Sequence, residues 1–418
     1  MDDNEGFRKI AEYLRVEADT DFVGLCMKSF KIYPSPGSRG FAELCLNHRL
    51  WIEDSIFLMS ILTFTRIFYS LEKFPLNSPE DPVLEKSYGS LVDGWETLIA
   101  WLSRFRDMED RTTGWERFPP VLWAASLELF IRVGTLTPQI QQTGVKLLTS
   151  STTFNLVADI LTQTDPRTSL YRCFMHPVKS RCPIPSMLAV YLASPEGWEA
   201  FQTNLSAASP KRRRAIILSL AHRPTSIVTV TIDAVNPVQL KIETLHIMLH
   251  LYHKLMNDPK IGTLLLRHRF FYHFTNSLWT LRTTVPQFTG DDWSHILPMI
   301  SAIAMLTSRY YFKKDEGLAQ AIEGRILHLS LASLAENGRR GTSELDIHST
   351  LPLFAARLLL TSPRITRMLV AERFQDSLFK FAQERQGVQS MVTKRAIEAL
   401  GRELLVSGGV VAAMVDVN

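Results

Sequence analysis

Besides Ser35-Pro36 in a Pro/Gly/Ser knot, a Ser, Asp or Thr stands directly before Pro eight times in 418 residues, usually just ahead of a run with helical apolar spacing. The pairs are Ser78-Pro79, Asp81-Pro82, Thr137-Pro138, Asp165-Pro166, Ser194-Pro195, Ser209-Pro210, Asp258-Pro259 and Ser362-Pro363. Each has the chemistry of a helix start. The side-chain oxygen accepts from free N–H groups of the first turn, and Pro fits the first helical position. A chain that restarts helices this often, with almost no hairpin turns between them, builds an array of helices. The expected class is all-α.

The length exceeds what one compact core usually holds, so two domains or one extended array are expected. Acids and bases interleave nearly everywhere, and the net charge is only +4. That balance argues for solubility more than for a polyanion partner, though RNA contact stays open. The acidic start, Met1-Asp2-Asp3-Asn4-Glu5, is the reverse of a secretory or mitochondrial leader. The apolar runs Ile56–Phe64 and Val410–Val417 fall far short of the roughly 20 residues a bilayer span needs. Four Cys without disulfide-framework spacing suit a reducing compartment, so a cytoplasmic or nuclear protein with no membrane partner is expected.

Along the chain, residues 1–118 read as an N-terminal helical subdomain, 119–407 as a helical array and 408–418 as a C-terminal tail. Helix starts are expected near Thr137, Thr153, Pro185, Pro195, Pro210, Pro237, Pro259, His268, Asp291, Lys314, Ser343, Pro363, Phe374 and Val388. Residues 120–133 are apolar almost all round, the profile of a helix sandwiched between others. Ile227 to Ile232 is β-branched and would pass for a strand alone, but a lone strand has no ladder partner, so it is read as helix. The architecture that fits is an irregular α-solenoid of stacked antiparallel helix pairs. Pro markers 28, 29, 15 and 49 residues apart between Pro138 and Pro259 show no crisp repeat, which leaves a compact multi-helix globule as the alternative.

The succession Ser194-Pro195-Glu196-Gly197-Trp198, Ser209-Pro210-Lys211-Arg212-Arg213-Arg214 and Glu372-Arg373-Phe374 resembles the helical part of poorly characterised fungal armadillo-like proteins, some of which carry a MYND zinc finger. The resemblance covers mainly the middle and C-terminal halves. It implies armadillo/HEAT-like stacking and carries over no functional residue. The finger's dense Cys/His array is absent here.

Several constellations each admit a functional and a structural reading. Cys45/His48 and Cys173/His176, with Cys182 beyond, would complete a zinc tetrahedron if the two pairs met; otherwise each Cys is a small buried hydrophobe. His246, His250 and His253 share the polar face of one helix, opposite Ile242, Leu245, Leu249, Tyr252 and Met256. They span about 10.5 Å along the axis, too far for three ligands on one ion. Lys211 to Arg214 is a dense basic run that matches a minimal nuclear-import pattern, but it occupies a first helical turn, where cations oppose the macrodipole.

In the basic-aromatic helix 264–282, Phe270, Phe271, Phe274, Leu278 and Leu281 form a core face while Tyr272 and Trp279 lie opposite. Those two rings are either packing residues or contacts for a partner. Thr342 and Ser343 follow Arg339-Arg340-Gly341 like a basophilic kinase site, and also start a capping box. Nucleophile-elbow, Walker, dinucleotide and His-Glu-x-x-His patterns are missing.

The expectation is a non-enzymatic scaffold, without cofactor or metal, that binds an unknown protein or peptide on a helix-lined surface. His246, His250, Tyr272 and Trp279 are the candidate contacts. The alternative is an RNA-binding helical repeat protein using helix 264–282.

Overall fold

The computed structural model describes residues 93, 95–96, 99, 147–165, 168–173, 182–230, 237–285, 288–309, 314–340, 346–360, 362–384, 395 and 397–406. They are helical, with no strand among them beyond one isolated bridge between Thr164 and Tyr171. None of these helices is long and apolar enough to cross a membrane. The helices are α1 (Ser151–Thr162), α2 (Pro183–Ala193), α3 (Pro195–Ala207), α4 (Pro210–Thr229), α5 (Pro237–Met256), α6 (Pro259–Arg267) and α7 (Phe270–Thr284). They continue with α8 (Gly290–Arg309), α9 (Lys314–Glu323), α10 (Ile326–Arg340), α11 (Asp346–Leu358), α12 (Pro363–Ala371) and α13 (Phe374–Glu384). Residues 397–406 are also helical.

Ser194, Ser209, Asp258 and Ser362 stand at the N-caps of α3, α4, α6 and α12, each with Pro next. Gly197 N–H donates to Ser194 Oγ at 3.0 Å, Arg212 N–H to Ser209 Oγ at 3.3 Å, and Lys260 and Ile261 N–H to Asp258 Oδ1. Asp165 behaves differently. Its side chain accepts from Thr168 N–H and its carbonyl from Ser169 N–H, closing a turn instead of opening a helix. The β-branched segment is helical through Thr229 and ends at an extended Val230, with the rest of it outside the described residues. The pairs at Ser78, Asp81 and Thr137, the apolar run 120–133 and the boundaries at 118/119 and 407/408 also lie outside them.

The chain divides into two compact units, Met1–Ile160 with Ser186–Ala208, and Leu161–Pro185 with Ser209–Asn418. In the first, Trp95 donates to Thr153 Oγ1 at 2.7 Å, Tyr191 donates to Leu148 O at 2.9 Å, and Phe154 meets Phe201 edge-on at 5.9 Å.

The second unit has two rows of stacked helices. In one row α4 packs on α7, α7 on α9 and α9 on α12; in the other α5 packs on α8 and α8 on α11. An Arg357–Glu403 ion pair at 3.0 Å ties α11 to helical residues 397–406. Three triplets of a short helix, a second helix and a third follow in order: α6-α7-α8, α9-α10-α11, and α12-α13 with 397–406. In every triplet the first two helices meet at an arginine in left-handed conformation: Arg269 (φ 57°), Arg325 (φ 74°) and Arg373 (φ 48°). The junction at Arg269 agrees with the expected starts near Pro259 and His268 and divides the stretch 264–282 between α6 and α7, whereas a start at Ile326 appears that the sequence pattern does not show.

Two buried polar features hold α4. Pro224 inside it has no N–H for the Leu220 carbonyl four residues back, and the Tyr252 hydroxyl of α5 donates there instead. Arg223 is 1% exposed, with no carboxylate partner among the described residues. Its guanidinium donates to Arg172 O at 2.7 Å and Leu161 O at 2.5 Å, under the Tyr171 ring at 5.7 Å. Arg223→Ala should therefore destabilise by about 3 kcal/mol, through two orphaned carbonyls and lost stem packing. Tyr252→Phe should cost about 1–2 kcal/mol. Both are read as shifts of the urea midpoint at unchanged slope.

Candidate anion-binding cleft

The sequence candidates fall into two pairs. His246 is half-buried and His250 exposed on α5, their rings 4.8 Å apart. Burial lowers the His246 pKa, helped by His250 and by His295 of α8. His253 is exposed on the same face, and Ile242, Leu245, Leu249, Tyr252 and Met256 are buried, as the helical spacing requires. On α7, Tyr272 carries the Arg269 guanidinium 4.3 Å from its ring centre, and Trp279 lies 5.7 Å from His328 of α10. Phe270, Phe271, Phe274, Leu278 and Leu281 are buried. No interaction joins the α5 pair to the α7 pair among the described contacts.

What does converge is positive charge. A cleft of about 530 Å³ opens between the first two turns of α4 and the end of α6, lined by Pro210, Arg213, Arg214, Ile217, Leu264, Arg267 and His268. α4 has no acidic residue in its first turn, so its positive dipole end is reinforced by Lys211 to Arg214. The negative end of α6 is already occupied. Leu264 and Leu265 carbonyls accept from His268 N–H, and Leu266 O accepts from Arg269 N–H and from Gln320 Nε2 at 2.7 Å. Burial lowers the His268 pKa, and Arg214 and Arg267 lower it further. Arg214 and Arg267 have no ion pair among the described residues.

The two later seams, where the head of one helix meets the end of the next triplet's short helix, are built with opposite signs. Arg269 at the head of α7 pairs with Glu323, the last residue of α9. Arg325 at the head of α10 pairs with Glu372, which follows α12 directly. The corresponding seam between α4 and α6 sets Arg213 and Arg214 against Arg267 and His268. Where the later seams have an acid, this one has bases. Sequence reading flagged both basic stretches separately but not their meeting, since about fifty residues separate them. The signal was present in the parallel strings Arg267-His268-Arg269-Phe270, Glu323-Gly324-Arg325-Ile326 and Glu372-Arg373-Phe374.

Beside the cleft, His222 of α4 and His273 of α7 stack at 3.9 Å, with Thr225 Oγ1 3.4 Å from His273 Nδ1. Burial first, then His222 and Arg269, push the His273 pKa down to about 4. Elsewhere in this unit Cys173 Sγ donates to Tyr171 O at 3.5 Å, with Cys182 as a neighbour. The neighbouring Cys182 thiol, then burial, raise the Cys173 thiol well above its ordinary range, partly opposed by Arg223. Cys45, His48 and His176, like Thr342 and Ser343, lie outside the described residues. Among the described residues no three His, Cys, Asp or Glu side chains converge as metal ligands.

No protein-family model, curated protein or solved structure matches the chain.

Arg267→Glu would give the first seam the acid its counterparts have, so it should stabilise the protein by up to about 1 kcal/mol, the scale of an exposed ion pair, as a raised melting temperature. The His273 pair predicts a pH effect of definite sign. With a folded pKa of about 4 against 6.5 unfolded, the unfolded chain takes up the proton first. Stability is full above pH 6.5 and falls as pH drops toward 4. Urea midpoints of wild type minus His273→Phe across that window should show the loss, and parallel curves would refute it.

Proposed function

We infer that the chain is an armadillo/HEAT-like helical scaffold, an irregular α-solenoid, that binds a protein or peptide partner bearing an acidic group. The observation that carries this reading is the reversed charge of the seam between α4 and α6. A partner's acid there stands in for the glutamate of the other seams, while Pro210, Ile217 and Leu264 give its apolar neighbours a wall. The reading is non-enzymatic: guanidinium groups hold their protons near neutral pH, so the cleft is suited to recognition and not to proton transfer.

RNA binding by residues 264–282 would need open ring faces beside the phosphate contacts. Phe270, Phe271 and Phe274 are buried, Tyr272 carries Arg269, and Trp279 meets His328. That arrangement favours the protein-partner reading.

An array of acidic peptides with apolar neighbours tests it. Binders should lose at least about tenfold in affinity, or 1.4 kcal/mol, with the double variant Arg214→Glu, Arg267→Glu. They should also weaken as salt screens the exposed charges. Equal binding by the folded double variant, or binding confined to single-stranded RNA, would overturn the reading.

A further inference from the structure

We propose that the cleft between α4 and α6 seats a phosphate monoester, the phosphorylated Ser or Thr of a partner segment, where the other seams hold a glutamate. This deepens the scaffold reading and rests on it. At the seam between α7 and α9 one carboxylate answers one guanidinium, Glu323 on Arg269. The cleft sets Arg214 and Arg267 from two helices beside Arg213 and His268, and a single carboxylate would leave one of the two unpaired guanidinium groups unanswered. A phosphate monoester carries about −1.5 to −2 charge near pH 7 and three acceptor oxygens, enough to take arginine forks from both helices at once.

Among the described residues no ion pair engages Arg214 or Arg267. Asp258 caps the far end of α6, accepting from Lys260 and Ile261 N–H, and Glu323 is engaged by Arg269. The carbonyls that end α6 already have donors. Burial, and then the neighbouring Arg214 and Arg267, disfavour the charged form of His268, as crowded cations do. A dianion between them relieves that repulsion. The wall of Ile217, Leu264 and Pro210 suits an apolar residue beside the phosphorylated one, and the volume suits a short peptide segment.

The test uses the full chain and three degenerate peptide libraries that differ only in a central phosphoserine, glutamate or serine. The expected result is binding by the phosphoserine set at least about tenfold tighter than by the glutamate set, with none by the serine set. Arg267→Glu and Arg214→Gln should each abolish the preference, with melting temperatures confirming that both variants fold.

Equal affinity for glutamate and phosphoserine would overturn the phosphate inference and leave the scaffold reading standing. Phosphoserine binding untouched by either variant would also overturn the inference, placing the site elsewhere. Failure of every set, the acidic ones included, would sink both readings. Inorganic phosphate binding as tightly as the peptides would reassign the cleft to the free ion. A single-stranded oligonucleotide of matched charge outcompeting them would reassign it to nucleic acid.

Discussion

Three arginines in a backbone conformation that residues with a Cβ avoid set the spacing of the second unit. Left-handed geometry costs a non-glycine residue roughly 1–2 kcal/mol. Here it lets the chain leave a short helix and enter the next within two residues. Each arginine offsets the cost with its own backbone: Arg269 N–H closes on Leu266 O, Arg325 on Ile322 O and Arg373 on Val370 O. Their carbonyls then accept the first bonds of the following helices, from His273, Leu329 and Asp376. The side chains of Arg269 and Arg325 go on to pin the following triplet through Glu323 and Glu372. One residue type thus makes both the turn and the link between triplets. A glycine would make the turn without the link.

That division of labour depends on close approach. Gly324, just before Arg325, has no room for a side chain: a Cβ there would lie 1.7 Å from Thr275 Oγ1 and 2.7 Å from Tyr272 O. The end of α9 therefore lies directly on the backbone of α7, which brings Glu323 to Arg269. At the head of α4 the device changes. Ser209 caps the helix and no left-handed arginine is present, while Arg267 and His268 take the acid's place at the end of α6. Both halves of the Arg–Glu link are altered together, so the positive cleft belongs to the way this seam is constructed.

Local signals in the sequence were legible where local bonds decide the structure. The capping oxygens at Ser194, Ser209 and Asp258 act on N–H groups two or three residues away, and the apolar faces of α5 and α7 follow the helical period. Asp165 misleads because its oxygens serve a turn that depends on the pairing of Thr164 with Tyr171. The starts near His268 and Phe374 were legible, but the break at Arg325 is invisible to periodicity, because tertiary packing holds that residue left-handed. Arg223 looks like any surface cation in the sequence, yet its burial is set by carbonyls 51 and 62 residues away. The cleft follows the same rule: each basic stretch is readable, but their meeting is a product of α4 packing on α6.

Like charges held together by a fold are a cost that the folded state bears in the absence of a ligand, and this one has a local witness. His268 has its charged form disfavoured by burial and by two arginines, so the imidazole stays neutral beside them and adds little to the repulsion. Were that crowding only incidental, a glutamate at position 267 would remove it with the geometry the neighbouring seams already use. Keeping bases there forgoes an ion pair available to the same architecture. Sites that give up stability in isolation and regain it on binding are a common consequence of selection for function. An anion that binds only the folded protein returns the missing interaction, and the strength of its binding measures how much the unpaired seam had forgone.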